Sequence, residues 1–231
     1  MAKRPADPLR TMPIPKGRWC YSARLLDALD AAAVMFAATE RKRPKGATGP
    51  GIPYLAHLLG VAAIVFEHGG TEQEAIGALL HDTLEDITPK RAATRTVRAF
   101  GPTVEAIVRD CTDGRPGKDG KKRPTAERKA AYVAHVPGLG HSALLVSAAD
   151  KLHNARAIVA DLRVMGDGLW ERFNLGRDGQ LAYYASLVRA FQANAASNAE
   201  LVAELDRTVA DMHRLAGAPY EPMAGAAPTG S

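Results

Sequence analysis

Two histidines and two aspartates of this chain could together bind one metal ion. His57, the adjacent pair His81 and Asp82, and Asp150 each lie in or directly after an apolar stretch. Charged side chains beside buried surface need a metal or another partner. Imidazole nitrogen combined with carboxylate oxygen suits manganese, iron or zinc, whereas four thiolates would indicate structural zinc. The set therefore predicts a divalent metal centre with open positions for water and a phosphate oxygen.

Each of these residues also has a purely structural interpretation. A histidine can be satisfied in a protein core, an acid can cap a helix or form a surface pair, and isolated matches to short patterns are often fortuitous. That interpretation weakens for the whole set, because Glu85 and Asp86 follow directly on His81 and Asp82. A metal-dependent hydrolase is the first function to test.

The segments that carry these residues have helical periodicity, and neither an alternating strand pattern nor an internal repeat is evident. We expect an all-α fold, a single bundle of about eight to ten helices. Thr71 with Glu74 forms a capping box that begins a helix running to Asp86, which would place His81 and Glu85 one turn apart. The predicted helices cover residues 22–40, 54–68, 71–86, 90–100, 102–111, 125–136, 142–165, 178–194 and 197–215.

The length of 231 residues fits one domain. We expect a flexible, basic, proline-rich arm over residues 1–21, the helical domain over 22–216 and a disordered tail over 217–231. Hydrophobic residues make up 46% of the chain but aromatic residues only 6%, which favours closely packed helices over sheet. No apolar run is long enough to predict a membrane span. The two cysteines indicate a reducing cytoplasm rather than a disulfide framework.

The chain carries 30 Lys and Arg against 25 Asp and Glu, a formal net charge of +5. This charge favours an anionic partner, either a polyphosphate nucleotide or a nucleic acid, and is also compatible with ordinary variation in surface charge. The basic loop over residues 115–123 is best explained as a solvated loop, so we do not expect nucleic-acid binding. A homo-oligomer is compatible with the sequence.

Five stretches together resemble the HD-domain phosphohydrolases, and among them the hydrolase half of the RelA/SpoT family and the small alarmone hydrolases. The His-Asp pair alone is weak evidence, but the ordered combination is specific and extends over roughly residues 23–193. The stretches are residues 53–57 (PYLAH), 78–86 (ALLHDTLED), 100–101 (FG), 127–129 (ERK) and 149–156 (ADKLHNAR).

The resemblance implies a role for each matching residue. Glu85 and Asp86 would be the catalytic acids, and Asn154 would fix the substrate or the nucleophilic water. Members of this family remove the 3′-pyrophosphate of guanosine tetra- and pentaphosphate. The ligands of a Mn²⁺ ion, with Fe²⁺ or Zn²⁺ as alternatives, would be His57, His81, Asp82 and Asp150.

The remaining predicted substrate contacts are mostly cationic, since the substrate is a dense polyanion. Arg128 and Lys129 match a basic pair of the family, and Lys151 follows the last ligand, although it could equally point outward. Tyr184 could stack on a base, but adjacent tyrosines more often provide one core and one surface residue. Two further predicted contacts are Arg43 and Lys45.

The segment between Glu40 and Tyr54 departs from the family pattern. Relatives that act on guanine alarmones have an Arg-Lys pair, a short turn and then Pro-Tyr, whereas the turn is longer here. The adenosine alarmone ppApp therefore stays a candidate substrate beside ppGpp. Two other functions also stay open: an HD-domain phosphohydrolase of another nucleotide, such as a 5′-nucleotidase or a nucleoside triphosphate hydrolase, and a non-catalytic nucleotide-binding module.

Overall fold

The computed structural model describes residues 21–43, 48–113, 123–194 and 198–221. Within these residues there is no β-strand, and ten α-helices form, of which α4 is a single turn. This confirms the predicted all-α bundle and its number of helices. The predicted arm over residues 1–21 lies outside the described residues except for Tyr21, and the predicted tail over 217–231 lies outside them from residue 222 onwards. The helices are α1 (Ala23–Met35), α2 (Tyr54–Glu67), α3 (Glu72–Leu80), α4 (Thr83–Asp86), α5 (Lys90–Ala99), α6 (Pro102–Cys111), α7 (Thr125–His135), α8 (His141–Met165), α9 (Gly176–Gln192) and α10 (Ala199–Leu215).

Helix α8 lies at the centre of the bundle. Its N-terminal half, residues 143–150, is buried on all sides, because α2, α3, α6 and α10 pack around it. Alanine residues in this stretch allow these neighbours to approach closely, and Leu152 in the next turn is fully buried. No helix in the described parts of the chain is long and apolar enough to cross a membrane.

The predicted capping box begins α3. The backbone amide of Thr71 donates to Glu74 Oε2 at 2.7 Å, and the amide of Glu74 donates to Thr71 Oγ1 at 3.4 Å. These bonds satisfy amide groups that have no partner within the helix.

The predicted continuous helix over residues 71–86 is wrong, because α3 ends at Leu80 and α4 begins at Thr83. A turn at His81 and Asp82 separates the two helices, and Asp82 has φ of −90° and ψ of −2°. Its side chain lies 3.0 Å from His81 Nε2 and accepts a 2.5 Å hydrogen bond from the hydroxyl of Tyr54. Because the Asp82 side chain is engaged in these contacts, it does not cap the first turn of α4, which has no side-chain cap.

The first helix is also shorter than predicted and ends at Met35. The chain then turns, and an isolated antiparallel bridge joins Glu40 to Pro53. The amide of Arg41 donates to the carbonyl of Ile52 at 2.9 Å, and the amide of Tyr54 donates to the carbonyl of Thr39 at 2.8 Å. This pairing places Arg41 beside the first turn of α2.

Candidate metal centre and active site

The four predicted ligands meet in the interior, although they come from different parts of the fold. His57 lies on α2, His81 and Asp82 form the turn between α3 and α4, and Asp150 lies on α8. The Nε2 atom of His57 is 3.2 Å from Asp150 Oδ1, and that of His81 is 3.0 Å from Asp82 Oδ2. The two diagonal distances, His57 to Asp82 and His81 to Asp150, are both 3.7 Å. Ligand atoms of His57, His81 and Asp150 all lie within 4.8 Å of one another, so the group could hold a metal ion.

The environment of His81 fits a bound cation. Its Nδ1 lies 2.8 Å from the carbonyl oxygen of Ala78, and because a carbonyl only accepts, Nδ1 carries the hydrogen. The neutral ring then has a lone pair on Nε2, which is buried and has no hydrogen-bond partner. A lone pair that faces the carboxylates of Asp82 and Asp150 is unfavourable unless a positive charge lies between them.

The pKa shifts within the cluster also favour a positive charge between the carboxylates. Burial alone would lower the pKa of His81, but the charges of Asp82 and Asp150 outweigh it and hold the pKa well above its usual value. Burial alone would raise the pKa of Asp82, but the neighbouring histidines His81 and His57 reverse this and lower the pKa strongly. Without a bound ion, the carboxylates thus favour a second proton on the ring of His81. A metal ion at the same place would supply the positive charge instead and leave the ring neutral.

Neighbouring side chains orient the two carboxylates. Asn154 Nδ2 donates to Asp150 Oδ1 at 2.5 Å, which confirms that these residues share one face of α8. Lys151 Nζ donates to Asp150 Oδ2 at 2.6 Å. Tyr54 donates to Asp82, an interaction that the sequence did not predict. Such contacts fix the direction of ligand lone pairs.

Glu85 lies on α4, directly after the turn that carries His81 and Asp82. Arg128 Nη1 is 3.3 Å from Glu85 Oε1 and 2.7 Å from Asp113 Oδ1. Lys90 Nζ donates to the carbonyl oxygens of Leu84 and Glu85 at 3.0 and 2.7 Å and so holds the end of α4. The predicted phosphate contact Arg128 is thus already paired with a predicted catalytic acid.

Asp86, the second predicted acid, is exposed at the end of α4. Its charge contributes to the raised pKa of Tyr54, after burial and the charge of Asp82. The part of Asp86 in catalysis stays a prediction.

Lys129 lies over the ring of Tyr183, with Nζ 3.5 Å from the ring centroid. Burial, reinforced by the charge of Lys151, lowers the pKa of Lys129 to about 7. Tyr183 and Tyr184 are both buried, with exposed fractions of 8% and 3%, so the interpretation that one of them is a surface residue is wrong. A substrate contact by Tyr184 stays a prediction.

The basic residues before α2 have different surroundings. Arg43 pairs with Glu40 at 3.4 Å and donates to the carbonyl of Gly49 at 2.8 Å, and Lys45 lies outside the described residues. Arg41 instead donates to Asn154 Oδ1 at 2.9 Å, one turn after Asp150. Sequence reasoning did not choose Arg41, because the bridge between Glu40 and Pro53 that positions it is not visible in the sequence.

His153 is a second residue that the sequence did not single out for the site. It lies on α8, and its Nδ1 is 2.9 Å from Nδ1 of His57. In the sequence it lies three residues after Asp150, within the stretch 149–156 that resembles the family.

Comparisons with known proteins agree with this arrangement. A family model for the HD domain matches residues 33–169. The guanosine-3′,5′-bis(diphosphate) 3′-pyrophosphohydrolase MESH1 of Danio rerio is 41% identical over 125 residues, which are 53% of this chain and 65% of that protein. The Homo sapiens protein of the same name is 36% identical over 137 residues, 58% of this chain and 69% of its own length. The chain thus spans about two thirds of these curated relatives.

Two solved structures are similar in fold. One is a metazoan ortholog of SpoT described as hydrolysing ppGpp, with a TM-score of 0.65 and 28% identity over 85% of this chain and 97% of that one. The other is a Listeria monocytogenes protein with a TM-score of 0.57 and 25% identity over 70% of this chain and 99% of that one.

Proposed function

This chain belongs to the HD-domain family, and we propose that it is a metal-dependent hydrolase that removes the 3′-pyrophosphate of an alarmone nucleotide, (p)ppGpp or (p)ppApp. The products are pyrophosphate and the nucleoside 5′-diphosphate or 5′-triphosphate. The observation that carries the proposal is the convergence of His57, His81, Asp82 and Asp150 around the unpartnered Nε2 of His81. The similarity to MESH1 and to the SpoT ortholog supports the choice of substrate.

Mn²⁺ is the ion that we propose, with Fe²⁺ and Zn²⁺ as alternatives. The donor set of two imidazole nitrogens and two carboxylates suits all three ions. When bound, the ion lowers the pKa of a coordinated water and withdraws charge from a phosphoryl oxygen. Its proposed ligand atoms are Nε2 of both histidines and carboxylate oxygens of Asp82 and Asp150.

Glu85 and Asp86 provide the proton transfers in this proposal. The oxygen of a water molecule bonds to the phosphorus attached to the ribose 3′-oxygen, and the bond between that phosphorus and the 3′-oxygen breaks. One carboxylate accepts the proton of the water, and a protonated carboxyl returns a proton to the departing 3′-oxygen. Because adjacent carboxylates titrate as a coupled pair, the acid and the base are not assigned individually.

Cations near the centre bind the polyanionic substrate. Arg128 is in contact with Glu85 and so can reach a phosphate beside the reacting bond. Lys129 is half-buried nearby, where an arriving polyanion would favour its protonated form. Further proposed contacts are Arg41, Arg43, Lys45, Lys151, Asn154 and Tyr184.

The purine base of the substrate is guanine or adenine in this proposal. Arg41 reaches Asn154 from the segment that departs from the family pattern, so this segment contributes to the substrate pocket. A guanidinium plane can stack on either purine. Both ppGpp and ppApp therefore belong in the test.

A substrate panel tests the proposed function. Metal-free protein is supplied with Mn²⁺ and then with ppGpp, ppApp, GTP or a deoxynucleoside monophosphate, and the release of pyrophosphate and of phosphate is measured separately. We expect pyrophosphate from one or both alarmones and no product from an Asp150→Ala control. Phosphate release from a monophosphate or from GTP would indicate another HD-domain hydrolase, and binding of ppGpp without turnover would indicate a non-catalytic module.

The setting proposed for this reaction is the cytoplasm. Cysteine is scarce, with two residues in the chain, and Cys111 is buried and free. Both facts suit a reducing compartment.

A further inference from the structure

A second imidazole stands directly behind the metal-facing ring of His57. The Nδ1 atoms of His57 and His153 are 2.9 Å apart, and the ring centroids are 4.8 Å apart at an angle of 57°. The opposite nitrogen of His57, Nε2, faces Asp150 at 3.2 Å. His57 is therefore held between an acidic cluster on one side and a neighbouring imidazole on the other.

The position of the hydrogen follows from this geometry. Two ring nitrogens at hydrogen-bonding distance require a hydrogen on one and a lone pair on the other. For His57 Nε2 to offer its lone pair to a cation, the hydrogen of the neutral ring must be on Nδ1. His153 Nδ1 is then the acceptor, and the hydrogen of the His153 ring is on its own Nε2. For His81, the carbonyl of Ala78 is the corresponding acceptor of the hydrogen bond from Nδ1.

Gly60 makes room for this contact. It lies on α2, three residues after His57, and a Cβ atom there would be 2.3 Å from both Cδ2 and Nε2 of His153. Any other residue at position 60 would push the ring of His153 away. The absence of a side chain at Gly60 thus allows the imidazole of His153 on α8 to reach Nδ1 of His57 on α2.

We propose that His153 is a positioning residue for the metal centre. It accepts the hydrogen bond from His57 Nδ1, fixes the tautomer and the orientation of that ring, and presents Nε2 to the ion. Gly60 contributes the space in which it does so. This inference rests on the metal site proposed above, and it assigns to the pair a role in metal affinity rather than a contact with substrate.

The test is calorimetric titration of metal-free protein with Mn²⁺, which needs no substrate. His153→Ala is expected to weaken Mn²⁺ binding about 10- to 100-fold, the usual effect of losing the partner of a ligating histidine. His153→Asn keeps an acceptor oxygen near the position of Nδ1 and is expected to restore most of the affinity. Gly60→Ala is expected to weaken Mn²⁺ binding by displacing the ring of His153, although neither histidine is substituted.

A matched control separates this role from a general loss of packing. His68 is also partly buried, at the end of α2, but its Nε2 is 3.7 Å from Glu204, away from the metal centre. His68→Ala should leave the affinity for Mn²⁺ unchanged. Melting curves of each metal-free variant show which proteins are folded, and if His153→Ala does not fold, His153→Asn and Gly60→Ala decide the result.

The outcomes distinguish this inference from the proposed function. Wild-type protein that does not bind Mn²⁺ overturns both. Wild-type protein that binds Mn²⁺ and hydrolyses an alarmone, beside a folded His153→Ala or Gly60→Ala variant of equal affinity, overturns only the role of His153. Weaker Mn²⁺ binding by both His153→Ala and Gly60→Ala, together with near-normal binding by His153→Asn, supports the role of His153.

Discussion

Arg128 forms an ion pair with Glu85, with Nη1 of the guanidinium 3.3 Å from Oε1 of the carboxylate. The same nitrogen is 2.7 Å from Asp113, and the side chain of Arg128 is only 13% exposed. One cation thus joins a proposed catalytic acid to a second carboxylate. A substrate pyrophosphate must compete with these carboxylates for Arg128, so substrate binding and the state of Glu85 are coupled.

This coupling predicts that changes at Arg128 and Glu85 are not additive. In a cycle of Arg128→Ala, Glu85→Gln and the double variant, measured as kcat/KM, we expect an interaction energy of about 0.5–3 kcal/mol, the range for residues in contact. Arg98 pairs with Glu105 and provides the control, since Arg98→Ala combined with Glu85→Gln should be additive. Strict additivity of the Arg128 cycle would contradict the coupling.

Metal binding and proton transfer should be separable by mutation. Asp150→Ala removes a proposed ligand and is expected to abolish both Mn²⁺ binding and turnover. Glu85→Ala leaves the four ligands in place, so Mn²⁺ binding should persist while kcat falls about 100-fold or more. Calorimetry and steady-state rates on the same preparations check both. Near-normal rates for Glu85→Ala would show that Glu85 is not a catalytic acid.

Arg41 should contribute more to substrate binding than Arg43. Arg41 bonds to Asn154 beside the metal centre, whereas Arg43 is paired with Glu40 and with a backbone carbonyl. We expect Arg41→Ala to raise KM for the alarmone about tenfold, and Arg43→Ala to have a smaller effect. Equal effects, measured at constant Mn²⁺ concentration, would argue against this difference.

Burial of Lys129 near the proposed substrate site should lower the free energy of unfolding. Burial lowers its pKa from 10.5 to about 7, so between these values the unfolded chain binds a proton that the folded protein does not. The free energy of unfolding therefore falls as the pH drops from 10.5 to about 7 and stays reduced below that. Lys129→Met removes this cost, and its gain in melting temperature should be largest at and below neutral pH and should fade towards pH 10.5.

A matched substitution and a kinetic measurement complete this prediction. Lys42 is exposed, and Lys42→Met should show no comparable dependence of melting temperature on pH. Lys129→Met should also raise KM, since the polyanion loses a cation. A gain in stability that did not vary with pH would show that folding leaves the pKa of Lys129 unchanged.

The sequence predicted most of the fold because each element carries its own signal. Periodicity marked the helices, and Thr71 with Glu74 marked the start of α3. The sequence also grouped His57, the His81–Asp82 pair and Asp150 as candidate ligands, because charged residues beside apolar stretches need a metal or another partner. The structure brings these four side chains together.

The remaining features depend on contacts between distant segments. The turn at Asp82 contains no glycine or proline that would mark it in the sequence. It accompanies the contacts of the Asp82 carboxylate with Tyr54 and His81. The pairing of Arg128 with Asp113 joins residues that are 15 positions apart in the sequence. The approach of His153 to α2 depends on the space at Gly60. None of these contacts has a local pattern in the sequence.

Helix α8 carries Asp150 at the end of its fully buried stretch and Asn154 one turn later. Neither residue can detach while the rest of the molecule stays intact, so heat inactivation and the loss of helical circular dichroism should share one midpoint. The backbone amides around Asp150 should accordingly rank among the slowest to exchange with deuterium. Substitutions far from the pocket that raise the melting point would then lengthen the working life of the catalyst.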